Sequence, residues 1–274
     1  MPEGDTVWLT AKRLHGVLAG QRLTRGELRV PSLAPCDLRG RTVTGAAAAG
    51  KHLLIRFADA VTLHAHLRMD GSWVIVAAAA RWPMPGHEVR AVLSTPAYDV
   101  LGRRVHDLAV VPTAEEASLV GHLGPDIMTE DFDLDAAAGR ISATPDTGIG
   151  VALLDQRNVA GIGNLYQNET AFLSGVTPWT PVADVADPQQ VVAIARRLMR
   201  ANREHPEQST TGDMRRGHMH WVYGRAGRPC RRCQTPIRTA RLGPAPTERV
   251  AFWCPRCQGG PGPVDPARPR PSSF

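Results

Sequence analysis

Apolar residues first recur at helical spacing near the amino terminus, where Val7, Ala11, Leu14 and Leu18 fall on one stripe. Asp5 or Thr6 is placed to cap this helix, which the pattern extends to about Ala19, and Gly20 ends it. From Leu23 to about Val111 the period changes to two. Thr42–Thr44, His52–Phe57, Val61–Met69, Ser72–Val76, Glu88–Ser94, Tyr98–Leu101 and Val105–Val111 read as short strands. Turns at Ala58–Ala60 and Asp70-Gly71 separate neighbouring strands, and 77–86 reads as a loop. Short strands at this spacing predict an antiparallel β-sandwich.

After Pro112 the helical period returns. Thr113 and Glu116 have capping-box spacing and predict a helix to about Gly121. His122-Leu123-Gly124-Pro125-Asp126 reads as a linker, which puts the first domain at 1–121. Helical stretches follow at 134–141, 148–154 and 160–173, and Asp187-Pro188-Gln189-Gln190 opens another to about Arg203. Gly161 and Gly163 interrupt the segment from Asn158 to Tyr166. Two readings are open there. One is an ordinary turn between packed helices; the other is a turn whose free N–H groups and Asn164 amide face a phosphate.

Cysteine spacing adds a metal. Cys230-Arg231-Arg232-Cys233 and Cys254-Pro255-Arg256-Cys257, with 20 residues between the pairs, have the two-pair spacing of one tetrahedral structural zinc ion. The ion would staple a β-hairpin too small to fold by itself. Cys36 stands alone, so the five cysteines are not a disulfide framework. The fold class expected is α+β and multidomain: a helix plus antiparallel β-sandwich (1–121), an all-α domain (122–225), a zinc-finger hairpin (226–258) and a disordered Pro/Gly-rich tail (259–274). The start lacks the order of a secretory signal, and no apolar run has membrane-spanning length. A cytoplasmic protein is expected.

Charge narrows the partner. The net charge of +6 and pI of about 9.5 favour a polyanion, and eight arginines lie between Arg225 and Arg256 on the zinc hairpin. Of 32 basic residues only Lys12 and Lys51 are lysines. Lys12 reads as surface. Lys51, after the small-residue run Gly45–Gly50 on an expected strand, is either needed as a proton-transferring group or compact phosphate ligand, or is retained by chance. At the chain start, proline after methionine favours methionine removal, which would leave Pro2 a secondary amine. Such a terminus titrates near pH ~8, is nucleophilic at neutral pH and forms a cationic iminium with an aldehyde carbon. Glu3 beside it is a candidate proton donor, and equally an ordinary helix-dipole partner.

Met-Pro-Glu-Gly at the start, Gly50-Lys51-His52-Leu53, Gly161-Ile162-Gly163-Asn164 and Val222-Tyr223-Gly224-Arg225 before the cysteine pairs occur in one order. On these motifs the chain resembles the formamidopyrimidine-DNA glycosylase / endonuclease VIII family, to about Gln258. Met-Pro-Glu-Gly and Trp253-Cys254-Pro255 look more like endonuclease VIII than the 8-oxoguanine branch, and most like the second endonuclease VIII-like type of actinobacteria. The resemblance implies a monomeric bifunctional DNA glycosylase/AP lyase of base excision repair, acting on oxidised bases with pyrimidines favoured. Its partner would be damaged DNA, its metal Zn2+, and its helical domain a helix–two-turn–helix. Pro2 would attack C1′, Glu3 protonate the sugar ring oxygen, and Lys51 serve β-elimination and contact phosphate. Asn164 and Arg249 would grip phosphates beside the lesion, with Arg249 serving δ-elimination as well. Met69 would fill the space left by the extruded nucleotide, and Arg68 and His122 occupy DNA-contact positions. Cys230, Cys233, Cys254 and Cys257 would hold the zinc.

The chain departs from the family pattern in places. Thr6 stands where the 8-oxoguanine branch has glutamate, and Arg68 and His122 stand where endonuclease VIII uses glutamine and arginine. The gap of 20 residues between cysteine pairs exceeds the family's usual sixteen or so, with Gly243-Pro244-Ala245-Pro246 lengthening the turn. The damaged-purine loop has no clear counterpart near Leu101–Arg104. Two other classes compete: a non-catalytic zinc-containing protein that binds lesions or abasic sites, and a small-molecule enzyme with proline as general base.

Overall fold

The computed structural model describes residues 2–263, which form two compact units; the expected tail from 264 on lies outside the described residues. In the first unit, reaching to Thr129, helix α1 (Gly4–Leu18) precedes strands β1 (Arg25–Leu28), β2 (Val43–Ala49), β3 (His52–Phe57), β4 (Val61–His66), β5 (Ser72–Ala77), β6 (Val89–Ser94), β7 (Tyr98–Arg103) and β8 (Asp107–Pro112). They build two four-stranded antiparallel sheets, ordered β1-β6-β7-β5 and β2-β3-β4-β8, as the alternating pattern predicts.

The stripe Val7, Ala11, Leu14 and Leu18 is buried and joins Leu53, Ile55, Phe57, Leu63, Leu93 and Val100 in one core. Burial of each such leucine contributes about 1.5–3 kcal/mol. The small residues of β2 let α1 approach closely: a Cβ on Gly45 would lie 3.2 Å from the His15 ring. The expected caps at Asp5 and Thr6 are not used. The helix starts earlier, with Glu3 at its N-cap and Val7 N–H donating to the Glu3 carbonyl at 3.0 Å.

The capping box at Thr113 and Glu116 does not form either. Glu116 instead accepts two 2.7 Å bonds from Arg56 and one of 2.6 Å from the Thr62 hydroxyl, and only a short helix α2 (Ala117–Val120) follows. A partner across the sheet outbids the local cap because it supplies a full charge. The expected linker is also structured. Asp126 is mostly buried, accepts from Gly50 N–H at 2.7 Å and Met128 N–H at 2.9 Å, and Ile127 and Met128 are in the core. The first unit therefore extends to Thr129, beyond the expected boundary at 121, and also includes Arg203–Pro206, where Glu204 pairs with Lys12 at 2.7 Å.

The second unit holds α3 (Leu134–Ser142), α4 (Ile149–Leu154), α5 (Asn164–Leu173), α6 (Pro188–Asn202) and the hairpin β9 (Arg238–Leu242) with β10 (Arg249–Trp253). Asp133 and Asp187 supply the starts of α3 and α6, accepting from Ala136 and Gln190 N–H at 2.8 Å each. From Asn164 to Phe172, α5 is buried on every side. A charge inside such a helix demands partners, and Glu169 has four: the Thr210 hydroxyl and the N–H groups of Trp221, Val222 and Tyr223, the last three at 2.7–2.8 Å. This one carboxylate fixes the segment leading into the cysteine hairpin. Beyond that hairpin, Gly259 bonds back to Gly175 and Thr177, and the Thr177 hydroxyl donates to the Pro261 carbonyl at 2.6 Å. Order thus continues into the stretch expected to be disordered.

Replacing Glu169 with Gln takes the charged acceptor from all three backbone donors and sets an amide NH2 against at least one of them, and should cost about 2–3 kcal/mol in urea unfolding; an unchanged midpoint would contradict this role. Asp126→Ala should lower stability by about 1–3 kcal/mol and raise hydrogen exchange at the Gly50 amide, whereas wild-type protection of that amide would count against the contact.

Candidate active site and cysteine cluster

Pro2 directly precedes α1 and is half-buried, and Glu3, whose backbone caps the helix, is fully buried. A carboxyl group is therefore confined one residue from the chain's first ring nitrogen, at the positive end of a fifteen-residue helix. Lys51 is not on a strand. Ala49 pairs with His52, so Gly50-Lys51 is the two-residue turn joining β2 to β3, with Gly50 at φ +56° and its N–H held by Asp126. The turn presents Lys51 at the edge of the β2-β3-β4-β8 sheet that is formed by strand ends.

At that edge four of the chain's ten histidines gather. His52 Nδ1 lies 2.7 Å from His64 Nε2, and the His52 ring centre lies 5.1 Å from that of His66 and 6.1 Å from that of His122. Burial, followed by repulsion from the neighbouring rings, pushes His52 down to about 4. Burial and then Arg68 push His66 to about 4, and burial lowers His64. His52, His64 and His66 are therefore held as neutral imidazoles beside a lysine. Sequence reading placed His122 among the contacts but passed over the other three. Their i, i+2 recurrence at His64 and His66, opposite His52, was the available signal.

After β4 the chain turns sharply. Arg68 sits at φ +52°, and Gly71 is required because a Cβ there would come within 2.5 Å of the Leu67 carbonyl oxygen. Met69 stands at the turn's tip, 64% exposed, and Arg68 reaches Asp107 at 2.5 Å. The Met69 side chain is thus held outward on the turn and not packed into the core of its own sheet.

In the second unit, Gly161 adopts φ +106° and Gly163 is the N-cap of α5. Gln156 braces this turn, accepting from Gly161 N–H and donating to the carbonyls of Leu154 and Ile162. Asn164 is only 6% exposed, and its amide donates to the Val250 carbonyl at 3.0 Å, while Asn168 accepts from Phe252 N–H at 2.6 Å. The turn and β10 are thereby joined next to Arg249, an exposed residue whose guanidinium bonds the Thr247 carbonyl at 3.1 Å.

The four cysteine sulfurs lie within 4.8 Å of one another, with contacts of 3.9 Å (Cys230–Cys257) and 3.4 Å (Cys233–Cys254). Tetrahedral zinc with Zn–S bonds of about 2.3 Å needs sulfurs about 3.8 Å apart. The donor set and its spacing fit a metal ion. Hydrogen bonds from Thr235 push the Cys233 thiol down to about 6, whereas burial pushes Cys254 and Cys257 up. Not every arginine of the hairpin is available for a partner. Arg225 bonds the carbonyls of Trp221 and Pro229, Arg231 those of His220 and Gly217, and Arg232 stacks over Phe172 at 4.7 Å. Arg228, Arg238, Arg241, Arg249 and Arg256 are exposed, as is the stacked Arg232.

Comparison with known proteins places this geometry. Residues 1–107 match the formamidopyrimidine-DNA glycosylase N-terminal domain, and residues 123–210 match the formamidopyrimidine-DNA glycosylase H2TH domain. The chain is 49% identical over 266 residues to "Probable endonuclease 8 2" of Streptomyces coelicolor, covering 96% of each. It is 44% identical to "DNA-(apurinic or apyrimidinic site) lyase Nei2" of Mycolicibacterium smegmatis, over 94% of this chain and 99% of that protein. The fold matches that of Lactococcus lactis Fpg in complex with abasic-site DNA, with a TM-score of 0.79 and 22% identity over 94% of this chain and 100% of that one. The chain belongs to the formamidopyrimidine-DNA glycosylase / endonuclease VIII family.

Proposed function

We propose that this protein is a bifunctional DNA glycosylase/AP lyase of base excision repair that uses the Pro2 nitrogen as nucleophile and removes oxidised bases, pyrimidines foremost. The observation that carries the reading is the pairing of Pro2 with the fully buried Glu3 at the head of α1. Likeness over nearly the whole chain to proteins named as endonuclease 8 and as an abasic-site lyase supports it.

The chemistry follows from these groups. With Met1 removed, Pro2 carries a lone pair that attacks C1′ of the damaged nucleotide, and the base departs as the C1′–N bond breaks. Glu3 supplies a proton to the sugar ring oxygen, so the ring opens as the iminium forms. The cationic iminium acidifies C2′–H. Loss of that proton expels the 3′ phosphate, and a second elimination expels the 5′ phosphate. Lys51 assists the first step and neutralises phosphate charge; Arg249 assists the second. Asn164 and Arg249, tied together through β10, hold the strand, with Arg68 and His122 adding contacts on the first unit. Met69 occupies the space vacated in the duplex. Cys230, Cys233, Cys254 and Cys257 hold one structural Zn2+, which would supply folding free energy to the hairpin. Thr6, and the lack of a clear counterpart to the damaged-purine loop near Leu101–Arg104, favour pyrimidine lesions.

Strand cleavage assays on abasic and thymine-glycol DNA test this. Protein retaining Met1 has an amide at Pro2 and should lose both activities by on the order of 100-fold or more. Glu3→Gln should lose base removal by about 100-fold or more yet still cut a preformed abasic site, whose sugar already opens. Tight lesion binding without cleavage by correctly processed wild-type protein would establish the non-catalytic alternative. Chelation of the metal should abolish DNA binding and expose the β9–β10 amides to exchange; retention of both after metal removal would contradict the structural zinc.

A further inference from the structure

The histidine edge beside Lys51 contains a constraint that the chemistry above does not use. His64 is 5% exposed, and its Nδ1 is buried with no hydrogen-bond partner among the described residues. Its Nε2 lies 2.7 Å from His52 Nδ1, so one proton must sit between the two nitrogens. If His52 donated it, His64 would carry its own proton on Nδ1, leaving a buried N–H without an acceptor. With the proton on His64 Nε2, only a lone pair is left unfilled there, the lesser cost. His64 therefore donates to His52, and His52 must carry its remaining proton on Nε2. The backbone sets the same tautomer at His66, because the Arg68 N–H donates to His66 Nδ1 at 3.1 Å.

We propose that His64 is a positioning residue that locks His52 as a neutral Nε2–H donor, so that His52 and His66 together offer two uncharged N–H groups to a DNA strand phosphate next to Lys51. The inference rests on the DNA lyase reading and extends it to how this edge receives an anion. A phosphodiester only accepts hydrogen bonds, and donors already fixed in the required tautomer bind it without first taking up a proton. The surroundings keep the rings neutral. Facing them are Lys51, Arg68 and His122, which oppose protonation, and Asp107 on β8, which favours it but is itself paired with Arg68 at 2.5 Å. Protonating the His52–His64 pair would also require a proton on the partnerless His64 Nδ1. Both rings hence stay uncharged well below their ordinary titration range, in line with the shift of His52 to about 4.

Long-range proton–nitrogen spectra of 15N-histidine protein read the tautomers without DNA. Nε2–H forms are expected at His52, His64 and His66 at neutral pH. Affinity for a duplex with a tetrahydrofuran abasic analogue is then measured from about pH 5.5 to 8. The His52–His64 pair should add no acid-favoured slope in wild-type protein. In His64→Leu, binding at neutral pH should weaken about tenfold, the cost of one hydrogen bond to a charged acceptor. A new acid-favoured limb should appear at the low-pH end, because His52 can then take up a proton without one being forced onto His64 Nδ1. His64→Gln, whose amide N–H can donate to His52 Nδ1, should restore both affinity and the flat profile. An Nδ1–H tautomer at His52 would overturn this inference while leaving the lyase reading intact. So would a wild-type affinity rising about tenfold per pH unit below neutrality and losing that slope in His64→Leu. A His64→Leu protein that binds as wild type at every pH would overturn it too. Expected tautomers in a protein that neither binds nor cleaves lesion DNA would defeat the lyase reading, and this inference with it.

Discussion

A chain terminus is held from one side only, and a nucleophile placed there is useful only if something else stops it from fraying. In this protein the burial of Glu3 would do so for Pro2, the proposed nucleophile. With that carboxyl group enclosed and α1 pinned through Val7, Ala11, Leu14 and Leu18, Pro2 has one residue of freedom left. The small-residue strand β2 is part of the same device, since only Gly and Ala side chains let α1 lie this close to the sheet. The sandwich core that follows α1 anchors the helix next to Pro2, the proposed nucleophile.

Two buried carboxylates extend the logic to the other functional segments. Asp126 holds the backbone of the turn that presents Lys51, and Glu169 holds the three consecutive amides that lead into the cysteine hairpin. Neither touches the chemistry. Each converts a flexible connection into a fixed one by satisfying backbone donors that would otherwise be buried without partners. The four cysteines are spaced so that a metal ion could do the same for the β9–β10 hairpin, while Asn164 and Asn168 tie that hairpin to the head of α5.

Much of this was legible in the sequence, for physical reasons. Period-two and period-3.6 patterns locate strands and helices because a buried face must be apolar, and the strands from β3 to β8 and helices α3 to α6 lie close to where the pattern put them. Cysteine spacing announces a tetrahedral site because loop geometry limits how four sulfurs can converge. What escaped notice was decided by distant partners. Glu116 looked like a capping residue until Arg56 claimed it, and Asp126 looked like part of a linker because nothing local reveals that it reaches Gly50. Arginine density overstated the contact surface of the hairpin, since Arg225 and Arg231 are spent on backbone carbonyls. The pairing of His52 with His64 depends on register between β3 and β4, which no single strand encodes.

The scarcity of lysine makes the central claim unusually clean to examine, because only Lys12 and Lys51 compete with the terminal nitrogen as amines able to form a Schiff base. Borohydride reduction during turnover on abasic DNA, followed by protease digestion and mass mapping of the crosslink, reads the attacking atom directly. The account predicts the added mass on the peptide that begins with Pro2. A crosslink on the Lys51 or Lys12 peptide, or cleavage of the strand with no trapped adduct, would contradict it.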